Sequence, residues 1–192
     1  MIVGVLLAAG AGARFGGGKL LAPLEDGTPV GVRSARSLRS SVDRVLAVTR
    51  PGDATLEALL RAEGLEVLPF PGALAGMGAS LAFGIARAPD ADGWVVALAD
   101  MPFVRPETVA AVVQALTAGA AIVAPSFRGR RGHPVGFAAT LFEELVRLEG
   151  DAGARSVLVQ HESEVILLEC DDAGIVRDVD EPRDLECARQ RV

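Results

Sequence analysis

The chain has little of what suits a protein to a membrane, to nucleic acid or to an oxidising compartment. No apolar run reaches the roughly 18 residues of a membrane span, and the net charge is −6. Sequence-independent binding to nucleic acid or to an anionic membrane needs a basic surface instead. The two cysteines, Cys170 and Cys187, have no metal-site spacing. We therefore expect a cytoplasmic protein with ordinary thiols that has neither nucleic acid nor a membrane as a partner.

Aromatic residues and lysine are also scarce. Seven Phe, one Trp and no Tyr among 192 residues predict a core of aliphatic side chains. Lys19 is the one lysine, although Lys and Arg together number 19. A lysine ammonium is a compact point charge, whereas an arginine guanidinium is a planar fork. Lys19 therefore indicates a site that needs the ammonium, with a chance occurrence as the alternative.

Short apolar runs alternate with helical patterns along the chain. Continuous apolar runs are typical of strands buried on both faces of a parallel sheet. These runs occupy residues 2–8, 45–48, 65–68, 94–99, 121–124, 135–137 and 165–168. Helical patterns occupy residues 30–38, 53–60, 106–116 and 140–148. The alternation predicts an α/β fold: one Rossmann-like, three-layer domain over residues 1–192, with a mostly parallel central sheet and helices on both faces.

Several residues predict where the helices begin. Asp53 is placed to cap the second helix, and Pro106 lies in the first turn of the third. Thr140 and Glu143 match a capping box. Gly31 lies inside the first helical pattern and predicts that this helix begins late.

The segment LLAAGAGARFGGGKL, residues 6–20, follows the first strand and is rich in glycine. Loops longer than about 12–15 residues are usually functional or disordered, and ligands bind at the carboxyl ends of strands in open α/β sheets. Glycines let backbone N–H groups turn toward an anion, and Arg14 and Lys19 add positive charge. We predict a phosphate-binding loop, with a flexible surface loop as the alternative.

This loop matches neither of two common nucleotide-binding motifs. A Walker A motif needs glycine and Ser or Thr where Ala13 and Leu20 stand. A dinucleotide-binding fingerprint needs a third glycine where Phe15 stands, and an acidic residue after the second strand, where Arg50 stands. Because Arg50 would suit NADP, an NADP-dependent oxidoreductase stays open as an alternative.

Two carboxylates are candidates for a metal site. Asp100 ends the third strong strand, at the same sheet edge as the glycine-rich loop. Asp180 precedes the last helical segment. Carboxylate oxygens are suitable ligands for Mg²⁺. Each residue also has a structural alternative, since Asp100 could form a turn and Asp180 could cap the final helix.

These segments resemble, in order along nearly the whole chain, the nucleotidyltransferases that mature molybdenum cofactor, and most of all the molybdenum cofactor cytidylyltransferases. The matching segments are residues 7–10 (LAAG), 14–16 (RFG), Lys19, 71–72 (PG), 76–81 (GMGASL), 98–102 (LADMP), 131–137 (RGHPVGF), 150–155 (GDAGAR) and 178–182 (DVDEP). The resemblance implies a single α/β domain that joins a nucleoside monophosphate from an NTP to the terminal phosphate of molybdopterin and releases pyrophosphate.

The resemblance also implies roles for individual residues. Arg14, Lys19 and Asp100 would be catalytic, and Asp100 with Asp180 would hold Mg²⁺. The nucleotide would be bound by Ala8, Ala9, Gly10, Gly12, Arg14, Lys19, Gly76, Met77, Ser80 and Asp100. The acceptor would be bound by His133, Asp151 and Arg155.

The identity of the nucleotide follows from one position of the resemblance. Leu-Ala-Ala-Gly resembles the cytosine-using members of the superfamily and Leu-Ala-Gly-Gly the guanine-using ones, so Ala9 predicts CTP. The expected partners are CTP, a molybdopterin-type acceptor, and a client molybdoenzyme or its chaperone. The alternatives are a GTP-using relative, transfer to a sugar phosphate or terpenoid precursor, and a non-catalytic nucleotide-binding partner in molybdoenzyme maturation.

Overall fold

The computed structural model of the chain describes residues 1–10 and 15–186. The predicted site residues Gly12 and Arg14 lie outside the described residues, as does Cys187. Their predicted roles stay predictions, and so does the extent of the domain over residues 1–192.

Seven of the eight strands lie close to the predicted apolar runs, and the short β6 was not predicted. They are β1 (Ile2–Ala8), β2 (Arg44–Thr49), β3 (Glu66–Pro69), β4 (Gly93–Leu98), β5 (Ile122–Phe127), β6 (Arg130–Arg131), β7 (Val135–Ala138) and β8 (Val165–Glu169). Together they form an eight-stranded sheet in the order β3-β2-β1-β4-β7-β5-β6, and β8 pairs with β5.

The prediction of a mostly parallel sheet is confirmed. Strand β1 pairs in parallel with β2 and β4, β2 with β3, and β5 with β8. Strand β7 lies between β4 and β5 and is antiparallel to both. The short β6 is also antiparallel to β5.

The helices lie between the strands, as predicted. They are α1 (Val30–Arg39), α2 (Ala54–Ala62), α3 (Met77–Ile85), α4 (Pro106–Thr117), α5 (Phe142–Leu145), α6 (Arg155–Gln160) and α7 (Pro182–Glu186). Short 3-10 turns occupy Lys19–Leu21, Ala73–Ala75, Ala139–Leu141, Glu162–Glu164 and Ala173–Val176. No helix in the described ranges is long and apolar enough to cross a membrane.

Side chains of β1 show that the sheet is covered on both faces. Val3 and Val5 pack into a core with residues of α3, α5 and α6. Ile2 and Leu6 point the other way and pack with α1, α2 and α4. Because both faces of the strand are buried, its sequence is a continuous apolar run rather than an alternating one.

The predicted capping box of Thr140 and Glu143 is wrong. Thr140 lies inside a 3-10 turn, and α5 begins after it with no side-chain cap. Leu141 takes the N-cap position because its side chain is buried and draws the turn onto the core. Asp53 does occupy the N-cap of α2, but its side chain makes no capping hydrogen bond.

The late start predicted for α1 is also wrong. The helix begins at Val30, one residue before Gly31. A Cβ atom at position 31 would lie 3.3 Å from the carbonyl oxygen of Leu20. Glycine therefore lets the first turn of α1 pack closely against the 3-10 turn that begins at Lys19.

Candidate active site

The carboxyl ends of β1 and β4 meet at one edge of the sheet. The two strands are parallel neighbours, with Leu7 opposite Leu98. The ladder continues past β4, since the Ala99 N–H donates to the Leu7 carbonyl at 3.0 Å. Asp100 is therefore fixed beside the start of the glycine-rich loop.

Three consecutive glycines bring the loop back to this edge. Gly16, Gly17 and Gly18 have φ values of 83°, 95° and 67°, in the left-handed region that residues with a side chain rarely adopt. Gly18 then leads directly into the turn Lys19–Leu21. The glycines thus place Lys19 over the carboxyl ends of the strands.

Lys19 lies between two carboxylates from distant parts of the chain. Its Nζ is 2.7 Å from Asp100 Oδ2 and 3.3 Å from Asp180 Oδ1, and the Lys19 side chain is only 11% exposed. Burial lowers the pKa of Lys19, but hydrogen bonds and charge from Asp100 and Asp180 outweigh burial and hold this pKa above its ordinary value. Lys19 is therefore a fixed positive charge at neutral pH.

A third carboxylate completes a candidate metal centre. One oxygen from each of Asp100, Asp178 and Asp180 can be chosen so that the three lie within 4.8 Å of one another. Hard carboxylate oxygens suit Mg²⁺ or Mn²⁺. Sequence reasoning found Asp100 and Asp180 but missed Asp178. The available signal was the alternation Asp-Val-Asp, which in an extended segment places both carboxylates on one side.

Backbone hydrogen bonds fix the segment that carries Asp178 and Asp180. The N–H of Val179, whose side chain is fully buried, donates to the Asp100 carbonyl at 2.8 Å. The Asp184 carboxylate accepts hydrogen bonds from the backbone N–H groups of Asp180 and Glu181, at 2.9 and 2.7 Å, and these bonds lower the pKa of Asp184. The segment that carries Asp178 and Asp180 is thus held against the end of β4.

Seven of the residues predicted to bind the nucleotide line one cavity at this edge, which we call the Lys19 cavity. Its lining residues are Leu7, Ala8, Ala9, Gly10, Lys19, Leu20, Met77, Ser80, Leu98 and Asp100. The loop after β1, the end of β4 and the start of α3 therefore converge on a common space.

Gly76 lies just outside this lining, at the start of α3. Its φ is 107°, and a Cβ atom there would lie 2.4 Å from both the Gly150 carbonyl oxygen and Asp151 Oδ1. The Gly78 N–H donates to that same carbonyl at 2.7 Å. Glycine at position 76 therefore lets the loop around Asp151 pack against the start of α3.

A second cavity of about 240 Å³, which we call the Arg155 cavity, adjoins the first. It is lined by Leu7, Met77, Leu81, Val96, Leu98, Arg131, Gly132, His133, Val135, Phe137, Ala152, Gly153, Ala154, Arg155 and Leu158. Three of these residues, Leu7, Met77 and Leu98, also line the Lys19 cavity. The structure thus brings His133 and Arg155 together but leaves Asp151 out of the lining. It adds Arg131, which sequence reasoning missed.

His133 lines the Arg155 cavity in its neutral form. Its backbone N–H donates to the Ile175 carbonyl at 2.9 Å, and its buried ring Nδ1 has no hydrogen-bond partner among the described residues. Burial lowers the pKa of His133 by more than the nearby charge of Asp100 raises it. The cavity lining therefore combines apolar side chains, a neutral histidine and two arginines.

A lysine and three carboxylates beside a glycine-rich turn have the chemistry to bind a metal-bound polyphosphate, and a second cavity adjoins them. This combination at the carboxyl edge of an α/β sheet defines a nucleotidyltransferase. Residues 4–165 match the family described as the MobA-like NTP transferase domain. Because the match covers most of the chain, the chain belongs to that family, and the family predicted from the motifs is confirmed.

Two curated relatives match almost end to end. Purine catabolism protein PucB of Bacillus subtilis (strain 168) is 33% identical over 202 residues, which cover 98% of this chain and 96% of PucB. Nicotine blue oxidoreductase of Paenarthrobacter nicotinovorans is 32% identical over 188 residues, which cover 93% of this chain and 92% of that relative. The two names describe different activities, so the relatives define the family but not the substrate.

The solved structures of Rv0371c from Mycobacterium tuberculosis H37Rv share the fold. One has a TM-score of 0.84 at 30% identity and covers 97% of this chain and 95% of Rv0371c. A second structure, a complex with manganese, has a TM-score of 0.82 at 29% identity and covers 100% of this chain and 99% of Rv0371c. A divalent metal is therefore bound by a protein of the same fold and similar sequence.

Proposed function

We propose that the chain transfers CMP from CTP to the terminal phosphate of molybdopterin and releases pyrophosphate. The observation that carries this proposal is the junction of the two cavities at three shared residues. The Lys19 cavity offers a cation and a carboxylate for a metal-bound nucleotide. The Arg155 cavity combines apolar side chains with two arginines in its lining, which suits a heterocyclic acceptor that ends in a phosphate.

The choice of CTP is supported by Ala9. Its side chain is buried and lines the Lys19 cavity, at the position where the cytosine-using and guanine-using members of the superfamily differ. A methyl group in that place reduces the space available to a base. Ser80, which is also buried in the lining, is a further candidate for contact with the nucleotide.

The metal in this proposal is Mg²⁺, held by Asp100, Asp178 and Asp180. Their three hard oxygens suit this ion, and a relative of similar sequence binds manganese. When bound, the ion offsets the repulsion between two anionic reactants and the charge on the α-phosphate. Lys19 already touches two of the three carboxylates, so it lies close to the phosphates of a metal-bound nucleotide.

The reaction needs little covalent help from the protein. An oxygen of the acceptor phosphate bonds to the α-phosphorus while the bond to the β-phosphate oxygen breaks and pyrophosphate leaves with that electron pair. A phosphate monoester is already ionised at neutral pH, so no general base is required. The protein acts by holding the reactants in line and by donating hydrogen bonds from Lys19 to the leaving group.

An NADP-dependent oxidoreductase is the second candidate, because one relative is named an oxidoreductase and Arg50 follows β2. The site favours transfer of a nucleotide instead. Phe15 stands where the dinucleotide fingerprint needs its third glycine. A cluster of three carboxylates around a lysine suits a metal-bound polyphosphate and has no role in hydride transfer.

The test is turnover by the purified full chain with molybdopterin and each of the four NTPs in the presence of Mg²⁺. We expect stoichiometric pyrophosphate and CMP-linked molybdopterin with CTP, and much less product with GTP. Pyrophosphate release with a sugar phosphate or terpenoid phosphate but not with molybdopterin would contradict the acceptor. Oxidation of NADPH without pyrophosphate release would favour the second candidate. The client molybdoenzyme and the cytoplasmic location stay predictions from the sequence.

A further inference from the structure

Arg50 lies at the same sheet edge as the candidate active site. It follows β2 directly, and the last residue of β2, Thr49, is paired with the last residue of β1, Ala8. The glycine-rich loop therefore begins beside Arg50. The proposed reaction uses neither Arg50 nor the space around it.

The Arg50 side chain has unused hydrogen-bonding capacity. Its Nε is buried without a hydrogen-bond partner, and Arg50 forms no ion pair within residues 1–10 and 15–186. Other arginines of this part of the fold are paired, since Arg36 contacts Glu63 and Arg44 contacts Glu66. A buried donor without an acceptor is destabilising, so this arrangement favours a ligand that supplies acceptor atoms.

Arg50 opens onto a third cavity of about 220 Å³, which we call the Arg50 cavity. It is lined by Gly10, Gly17, Gly18, Lys19, Leu20, Leu21, Arg50 and Asp53. Gly10, Lys19 and Leu20 also line the Lys19 cavity, so the two spaces adjoin. Of the two cations in the lining, Lys19 is already balanced by carboxylates, whereas no carboxylate of the described residues forms an ion pair with Arg50.

The backbone of the glycine turn adds further donors to this cavity. Among the described residues, the N–H groups of Gly17 and Gly18 donate to no backbone carbonyl. Both glycines have left-handed φ values, which the structure needs to place the turn beside Arg50. Backbone N–H groups of a left-handed turn next to a guanidinium can form an anion site, and a guanidinium fork matches two phosphate oxygens at once.

We propose that the Arg50 cavity binds the β- and γ-phosphates of the nucleotide, and that Arg50 holds pyrophosphate as it leaves the α-phosphorus. This inference rests on the proposed function for the identity of the nucleotide. It adds a leaving-group site beside Lys19, which lines the first and third cavities, whereas Arg155 lines only the second.

The experiment is calorimetric titration of the full chain with inorganic pyrophosphate, CTP and CMP, with Mg²⁺ present. We expect Arg50→Ala to weaken the binding of pyrophosphate and of CTP by about tenfold or more. The affinity for CMP should be unchanged, because CMP lacks the phosphates that Arg50 would contact. Arg50→Lys should retain part of the affinity, since it keeps the charge but loses the fork. The matched control is Arg44→Ala, at the opposite end of β2, which should bind all three ligands like the wild type.

The outcomes separate this inference from the proposed function. Equal loss of CMP and CTP affinity in Arg50→Ala, or no loss of either, would overturn the assignment. If Arg50→Ala melts far below the wild type, the same comparison is made with Arg50→Lys and Arg50→Gln. Pyrophosphate binding that depends on Arg50, in a protein that does not turn over CTP, would keep the anion site and reject the proposed reaction.

Discussion

At the scale of single residues, two sets of partners compete for Lys19: the carboxylates of Asp100 and Asp180, and the phosphates of the proposed nucleotide. Its ammonium is bonded to Asp100 and Asp180, yet the proposed reaction needs it at the phosphates of the nucleotide. A divalent ion would take up the same carboxylate oxygens. If the proposed function holds, we therefore expect Lys19 to leave the two carboxylates and to bind the phosphates of the nucleotide when Asp100 and Asp180 hold a metal ion.

Lys19→Met tests this exchange, because it keeps an apolar stem of similar length and removes the charge. Without nucleotide, we expect the variant to bind Mn²⁺ more tightly than the wild type, as measured by electron paramagnetic resonance of free Mn²⁺. With CTP, kcat/KM should fall on the order of a hundredfold, since a charge-assisted contact is lost. Arg61→Met, which alters a surface ion pair, is the control. Weaker Mn²⁺ binding by Lys19→Met in the absence of CTP would contradict the exchange.

Ala9→Gly tests the choice of base at the residue scale. The variant removes one buried methyl group from the lining of the Lys19 cavity. A group of this size changes selectivity by about 1–3 kcal/mol, so we expect the ratio of kcat/KM for CTP over GTP to fall without a full reversal. An unchanged ratio, measured with both nucleotides under the same Mg²⁺ concentration, would mean that another residue selects the base.

At the scale of secondary-structure elements, Gly76 joins the start of α3 to the loop before α6. Gly76→Ala should lower stability and weaken CTP binding together, because the new Cβ would meet the carbonyl oxygen of Gly150. Gly119→Ala is the matched control: its φ of 101° is nearly the same, but nothing lies within 4 Å of its Cβ position. Both variants carry backbone strain of about 1–3 kcal/mol. Thermal melts and CTP titrations should therefore show an extra loss only in Gly76→Ala.

His161 couples α6 to α5 in a way that depends on pH. Its ring nitrogens lie 2.7 Å from Glu164 and 3.0 Å from Glu144. Hydrogen bonds to Glu164 and then Glu144 raise the pKa of His161. A raised pKa means that the charged form stabilises the fold below the pKa of the unfolded chain, and that this stabilisation is lost as the pH rises through the folded pKa.

His161→Gln should therefore lower Tm in acid, near about pH 5.5, and change it little near about pH 9. The measurement is the difference in Tm between wild type and variant across that range. Glu164→Gln, which removes the first of the two partners, should reduce the same pH-dependent difference. A Tm difference that is constant with pH would show that His161 contributes through packing alone.

The elements were predictable to different degrees for physical reasons. Strands buried on both faces give continuous apolar runs, so β1, β2 and β4 could be located from the sequence. The antiparallel direction of β7 could not, because the run at residues 135–137 reads the same in either direction. The capping box at Thr140 failed because burial of Leu141 outweighed a local signal.

At the scale of the whole molecule, the candidate site depends on contacts far apart in sequence. Asp100 was predictable because a strand end marks the edge of the sheet where loops gather. Asp178 was missed although the Asp-Val-Asp alternation carried a signal for it. Arg131 was not predictable, since its position follows from how β6 folds back onto β5. In the sequence, Arg50 indicated NADP as an alternative ligand. That Arg50 and Lys19 line one cavity could not be predicted, because it follows from the pairing of β2 with β1.

Because the site draws on β1, β4 and the segment before α7, a bound nucleotide should stabilise the whole fold. A ligand at 100 times its Kd contributes about 2.7 kcal/mol, and each kcal/mol raises Tm by about 2–4 °C in a protein of 150–250 residues. We therefore expect CTP with Mg²⁺ at that concentration to raise Tm by about 5–10 °C. CTP with a chelator should raise Tm much less, because the phosphates and the three carboxylates then repel one another.

Asp100→Asn should lose most of this rise in Tm while retaining a folded core, since its backbone carbonyl still accepts the Val179 N–H. An equal rise with and without Mg²⁺ would show that Asp100, Asp178 and Asp180 hold no metal for the nucleotide.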